Sequence, residues 1–298
     1  MARRSVAKRR INRISYAFIA PWLLAFLIFT LIPILASVSL SFTNFNMGPH
    51  VRWVGLSNYL RLLLDDDVFL ISLRNTILYA VVTGPVGYIL SFLIAWLIND
   101  LGRNLRSFLT LLFYAPSLSA NIYVIWTYIF SGDSYGLLNS WLIRLGLLRE
   151  TVNWLNDPAY NSIVVIIVIL WMSMGAGFLA FVAGLQQLNP SLAEAGAIDG
   201  VHNRWQELWY ITIPQMQPQL LFGAVMAIAG AFAVGYQNAA LTGMPSTDYS
   251  THTLLLHVID YGYTRLEVGY ASAVATVLFT LMIGAWLVIQ RAFAKHGA

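Results

Sequence analysis

"EAGAIDGVHNRWQELWYITIP", residues 194–214, carries four charged side chains, Glu194, Asp199, Arg204 and Glu207, between two runs, 162–188 and 219–241, that carry none. That contrast decides the fold. A chain of 298 residues that is 58% hydrophobic and only 10% charged has too few charges to cover a soluble globule of its size. A bilayer core of about 30 Å takes about 20 helical residues. Six uncharged runs reach that length: 16–42, 76–98, 107–130, 162–188, 219–241 and 268–290. The expectation is an all-α integral membrane protein with six transmembrane helices, built as one domain over 16–298. A basic tail, 1–15, precedes it, and a polar loop, 189–218, interrupts it.

Six of the 17 basic residues, Arg3, Arg4, Lys8, Arg9, Arg10 and Arg13, crowd into that tail. Such a cluster beside an apolar run is an orientation signal rather than a nucleic-acid patch, and it places the N-terminus in the cytoplasm. An even number of spans then returns the C-terminus to the same side. The run after the tail is longer than the roughly 7–15 apolar residues of a cleavable signal, so it reads as an uncleaved anchor. Breakers recur in the spans: Pro21, Pro33, Gly84, Pro85, Gly87, Pro116, Gly175 and Gly177. Backbone groups freed at such positions must find partners inside the protein, so these spans pack on neighbours or line a cavity. Outside the spans, Leu60, Leu63, Leu64 and Phe69 beside Asp65, Asp66 and Asp67 suggest one short amphipathic helix on the outer interface. Tyr16, Trp22, Trp53, Tyr59, Tyr128 and Trp141 fit an aromatic belt.

Several chemistries are excluded. The chain has no cysteine, and its only lysines are Lys8 and Lys295, so it can form neither a thiolate metal site nor a lysine-bearing phosphate loop. If ATP and its magnesium are used, a partner binds them; no cofactor is expected on this chain. His50, His202, His252, His257 and His296 show no metal-ligand pairing, and His252 and His257 read as solvated in an outer loop. No catalytic residue, metal ligand or nucleic-acid partner is expected.

Within the polar loop, Asn189 is a candidate N-cap with Pro190 at the first helical position, and Ser191 with Glu194 offers capping-box spacing as an alternative. The helix would run through Ala195, Gly196 and Asp199 and stop at Gly200, the residue best suited to a left-handed turn. A second helix, about Asn203 to Ile211, would carry Trp205, Leu208 and Trp209 on one face, with Pro214 and Pro218 marking entry to the fifth span. The first helix has small side chains and one free acid at Glu194, a shape suited to docking in a partner's groove.

The segment resembles the Glu-Ala-Ala motif of the membrane subunits of binding-protein-dependent ABC importers, in which a glycine and a later Ile-x-Leu-Pro follow. Glu194, Ala195, Gly200, Ile211 and Pro214 match. Gly196 replaces the second alanine, Ile213 replaces leucine, and ten residues separate Gly200 from Ile211 where the usual pattern has nine. Residues 53–76, "NWLNDP" (153–158), "LTG" (241–243) and "GYASA" (269–273) look like segments of the carbohydrate branch, the maltose and glycerol-3-phosphate permease type. The resemblance implies a type I importer permease fold in a bacterial-type plasma membrane. It also implies a second, different permease subunit, an ATPase dimer that grips the loop, and an extracytoplasmic sugar-binding protein.

Ionisable residues, the usual mark of ion-coupled transport, are missing from the six runs, which argues against an independent ion-driven carrier. A membrane scaffold without transport remains the other alternative. For a sugar path, composition offers Ser117, Ser119, Asn121, Tyr123 and Trp126 in the third span, Trp171 and Ser173 in the fourth, and Tyr236, Gln237 and Asn238 in the fifth. The stretches corresponding to the sugar site of maltose-type relatives include Leu170, Trp171, Ser173, Ala227 and Ala231, of which only Ser173 offers a hydroxyl. A maltose-like intramembrane site is therefore not expected, and the sugar is held by the companion permease or passes through.

Overall fold

The computed structural model describes residues 16, 18–119 and 122–296, so the basic tail and Asn121 lie outside the described residues. Among the described residues, four helices are long and apolar enough to cross a membrane, Phe18–Leu40, Asp67–Asn99, Asn161–Gln186 and Val268–Arg291. The pairs Arg103–Leu118 with Tyr123–Ile129, and Gln217–Phe232 with Tyr236–Thr242, raise the number to six if each is one broken span. The chain divides into two compact units, one comprising the chain up to Asp65 with Val258–Val277, the other Asp66–His257 with Leu278 onward.

In the first unit, the apolar helix Phe18–Leu40 opens into a π-turn over Leu27–Leu31 just ahead of Pro33. A proline lacks an N–H and crowds the carbonyl four residues back, and the wider turn accommodates both without a break. Beyond it, Thr43 and Trp53 form an isolated antiparallel bridge, and the Asn58 amide donates to the Ser41 and Thr43 carbonyls, both at 2.8 Å. Gly269 sits where a Cβ would meet the Thr43 carbonyl oxygen at 2.2 Å, so "GYASA" begins with glycine for want of room. The amphipathic helix differs from expectation. It spans Ser57–Leu64, buries Leu62 rather than Leu60, Leu63 or Leu64, and stops at Asp65, leaving Phe69 to the next helix. Its Arg61 lies 4.2 Å above the Tyr270 ring and pairs with Glu267. Burial alone would lower the Arg61 pKa, but the hydrogen bond and charge of Glu267 outweigh it and hold the guanidinium above its ordinary value.

In the second unit, the helix Asp67–Asn99 starts nine residues earlier than the sequence pattern suggests, because the Asp66 carboxylate caps it by accepting from the Phe69 N–H at 2.8 Å. It passes through Pro85 without interruption. Small residues set its contacts with the fourth and fifth spans. A Cβ on Gly84 would touch Ala231 at 3.4 Å, one on Gly87 would meet Ser173 Cβ at 2.9 Å, and one on Gly177 would lie 3.4 Å from the Gly223 Cα. Lipid-immersed helices associate by such close approach because lipid tails are as apolar as leucine. Below these crossings Phe92, Trp96, Phe181, Leu185, Leu208 and Met216 form one buried apolar cluster.

The segment 246–257 is not the solvated loop that the sequence suggests. Thr251, His252 and His257 are buried. The Asn75 amide donates to the Tyr249 and His252 carbonyls, Asn238 donates to the Thr251 carbonyl at 2.7 Å, and the Leu254 N–H donates to Thr76. His257 Nε2 lies 3.1 Å from the Asp66 carboxylate. The physical reason is that irregular backbone at the end of a helical bundle can be buried only when side chains satisfy its polar groups. Asn75, Thr76 and Asn238 do so here, and the Asp66 cap supplies an acceptor for His257.

The tightest crossing is the most sensitive to volume. A Cβ on Gly223 would fall 2.2 Å from the Phe181 ring, which is itself held edge-on by Tyr88 and Phe92 at 5.5 Å each. Gly223→Ala is expected to cost about 1–3 kcal/mol by overpacking. A lowered thermal midpoint in detergent checks this; an unchanged midpoint would show that the ring moves freely.

Candidate functional site

The polar loop folds as a pair of short helices. Asn189 caps the first, Pro190–Ile198, by accepting from the Ser191 N–H at 3.1 Å, so it serves as cap in preference to the Ser191 and Glu194 box. The helix ends with the Val201 N–H returning to the Gly196 carbonyl at 2.9 Å across Gly200, whose φ is +96°. This is the six-to-one closure that favours glycine in the left-handed region. Glu194, Ala195, Asp199 and Gly200 are exposed. So is Ile198, at 87%, an apolar side chain the sequence reading passed over although an isoleucine between small and acidic residues was a visible signal.

The second helix begins at Arg204. Its cap Asn203 accepts from the Gln206 N–H while the Gln206 side chain accepts from the His202 N–H, both at 2.9 Å. It does not end near Ile211. The segment Arg204–Glu207 passes into a π-turn over Leu208–Thr212 and then Ile213–Gln215, so Pro214 lies inside it and the break falls at Met216. The π-turn takes in one more residue per turn than the α-helix, which suits the one-residue-longer spacing between Gly200 and Ile211. It also redistributes the face expected to be shared: Leu208 is buried, whereas Trp205 and Trp209 are exposed. Gly196 matters here as well, since a Cβ at that position would lie 2.4 Å from Ile211 Cδ1. The departure from alanine and the shifted Ile211 thus fit together. The two ends of the loop meet where the Asn189 N–H donates to Gln215 at 3.3 Å.

Arg204 also reaches the second span. Its guanidinium lies 4.6 Å over the Trp96 ring and pairs with Asp100, and the Trp205 ring lies 5.0 Å from that of Trp96. Sequence reading treated Asp100 and Arg204 only as charges to be counted, because nothing in the spacing brings positions so far apart together.

The second to fifth spans line a cavity of about 320 Å³, at the lower end of the roughly 300–1,000 Å³ range of small-molecule sites. Ser117, Ser173 and Gln237 line it, as do Ala227 and Ala231. Ser173 donates to the Leu170 carbonyl at 2.7 Å, ending Asn161–Met172 at a break that resumes at Ala176. Thr83, Tyr88 and Ser91 of the second span complete much of the polar lining and escaped the sequence reading. The other residues expected on the path lie elsewhere. Trp126 packs edge-on against Trp171 at 5.2 Å, Tyr236 contacts Tyr123 at 6.1 Å, and Asn238 is fully buried beneath the 246–257 segment.

Comparison with known proteins gives the family. Residues 85–296 match the family described as "Binding-protein-dependent transport system inner membrane component". The probable ABC transporter permease protein YesP of Bacillus subtilis is 30% identical over 94% of this chain and 90% of its own length. The lactose transport system permease protein LacF of Rhizobium radiobacter is 29% identical over 94% of this chain and 93% of its own. In a crystal structure of a bacterial alginate ABC transporter in complex with alginate pentasaccharide-bound periplasmic protein, one chain superposes with a TM-score of 0.80 at 21% identity, covering 98% of this chain and 97% of that one. The chain belongs to this family of inner-membrane components; it is a transporter subunit of the plasma membrane and not an enzyme, with the importer permease fold.

The left-handed turn gives a local test. Gly200→Ala places a Cβ at φ +96°, a conformation that L-residues other than glycine rarely enter, and a cost of about 1–2 kcal/mol is expected. Faster amide exchange at 190–201 than in the wild type, with exchange in Asp67–Asn99 unchanged, is the expected readout.

Proposed function

We propose that this chain is one membrane-spanning subunit of an ATP-driven importer for a sugar or oligosaccharide, and that its 189–218 loop is the surface on which the ATPase acts. The observation that carries the reading is the exposed helix Pro190–Ile198, with small side chains, Glu194 and Ile198 outward, ended by Gly200. A groove in a soluble partner can admit such a helix closely, with Ile198 as an apolar anchor and Glu194 as a charge for a basic residue. ATP and magnesium belong to that partner. Closure of an ATPase dimer moves the loop, the spans follow, and access to the cavity alternates between the two sides. The loop and both termini lie in the cytoplasm. A companion permease completes the pathway, and an extracytoplasmic binding protein delivers the substrate.

Sugar as the substrate class is supported by the lactose relative and by the alginate importer whose fold this chain shares. The cavity is compatible with it: Ser173, Gln237, Thr83 and Ser91 offer neutral hydrogen-bonding groups beside apolar surface. The sugar passes Ser173 and Gln237 at the break in the fourth span, while Trp126, Trp171 and Tyr236 flank the route.

A tagged chain extracted from native membranes in mild detergent tests the reading. The wild type is expected to bring down an ATPase and a second permease. A Glu194→Lys, Gly200→Pro variant is expected to lose the ATPase alone, with uptake reduced by about tenfold or more. A wild-type chain that emerges intact without either partner would sink the proposal.

A further inference from the structure

We propose that Arg204, Asp100 and Trp96 form a latch that carries movement of the 189–218 loop into the second span, making them positioning residues for coupling. The inference rests on the reading that the ATPase acts on this loop. Its first support is that each charge stands where its own helix disfavours it. Asp100 follows the last residue of Asp67–Asn99, at the negative end of the helix dipole, and Arg204 is the first residue of Arg204–Glu207, at the positive end. Local helix energetics explain neither; the pairing between them explains both.

The second support is the platform beneath the pair. Trp96 precedes Asp100 by four residues, one helical turn on the same face, and is buried in the apolar cluster with Phe92, Phe181 and Leu208. The guanidinium at 4.6 Å and the Trp205 ring at 5.0 Å both rest on it, so the start of the second loop helix touches the second span through one rigid ring. Arg106, in the helix that follows, is turned to the backbone instead, donating to the Asn99 carbonyl at 3.0 Å.

The third support is what lies at the other end of the lever. The helix runs unbroken from Asn99 back past Ser91 and Gly87, which stand roughly 7–14 Å along the axis from Trp96 at about 1.5 Å per residue. Ser91 donates to the Ser173 carbonyl at 3.4 Å, and Gly87 admits Ser173 against its Cα. A displacement at Arg204 therefore reaches the break in the fourth span, and the wall of the cavity, through one stiff element.

The full complex in proteoliposomes, with its ATPase and loaded binding protein, gives the test. Arg204→Gln is expected to leave the complex assembled and ATP hydrolysis close to wild type, while uptake falls by about tenfold or more. The reversed pair Arg204→Asp with Asp100→Arg is expected to restore most of the uptake, which a merely space-filling role for Arg204 would not allow. Uptake and ATP consumed per sugar unchanged in Arg204→Gln would overturn the latch, as would a reversed pair no better than the single variant. The chain has no cysteines, so spin labels at Leu97→Cys and Tyr210→Cys report the joint directly once the accessible cysteines of the partner subunits are replaced by serine. Their separation is expected to stay constant between nucleotide-free and ATP-bound states, and a change on ATP binding overturns the latch even if Arg204→Gln fails to assemble. A wild-type chain that never carries an ATPase fails the functional reading itself, an outcome distinct from these.

Discussion

Close backbone approach among the second, fourth and fifth spans is the constraint on which the rest of the second unit depends. Lipid gives helices no hydrophobic reason to associate, so contact must come from packing and from satisfied polar groups. Gly84 against Ala231, Gly87 against Ser173 and Gly177 against Gly223 provide the packing. The Ser173 hydroxyl and carbonyl then accommodate the break between Asn161–Met172 and Ala176–Gln186, by donating to Leu170 and accepting from Ser91. The cavity forms beside this break because small side chains leave volume that leucine would fill. The same residues thus set the crossing and open the space.

The polar loop obeys a different economy. It is largely exposed, so its helices hold by caps rather than by burial: Asn189, Asn203 and Gln206 satisfy N–H groups that the first turns would leave open. Only Leu208 and Thr212 of the π-turn are buried. An extra residue in this stretch could have shifted every later side chain around the helix by about 100°. The π-turn absorbs it locally, and Gly196 makes room for Ile211 in the register that results. Two departures from the usual motif that look independent along the sequence are a single adjustment in space.

Much of this was legible beforehand because it is local. Spans follow from unbroken apolar length, and the first loop helix from Asn189, Pro190 and Gly200. Long-range partnerships were not. The periodicity that aligned Trp205 with Leu208 and Trp209 assumed an α-helix, and the π-turn removed that premise. His252 and His257 looked solvated because they fall in an outer loop, but the groups that bury it sit on other helices: Asn75 and Thr76 stood out only as part of the 53–76 segment, and Asn238 was read as part of a sugar path. Thr83, Tyr88 and Ser91 reach the cavity only because Gly87 draws the second span onto Ser173. That meeting follows from three dimensions and not from spacing.

The strength of the joint at Trp96 bears on how the two regions can work together. Arg204 and Asp100 are each about half exposed, at 50% and 54%. A pair of that kind contributes about 0–1 kcal/mol, and a half-exposed cation over a ring about 0.5–1 kcal/mol. Neither could hold a folded domain together, and neither needs to, since the buried face of Leu208 and Met216 already fixes the loop to the apolar cluster. What weak, directional contacts add is orientation. They tie the start of the second loop helix to one ring on one long helix, while the remainder of Pro190–Ile198 stays open to a partner. A loop held more deeply would resist the partner; one held only by Leu208 could pivot without moving the span. On the proposed coupling, the observed combination of a buried anchor with an exposed charge pair would leave the loop free to be gripped and make the second span the rigid element that carries the grip.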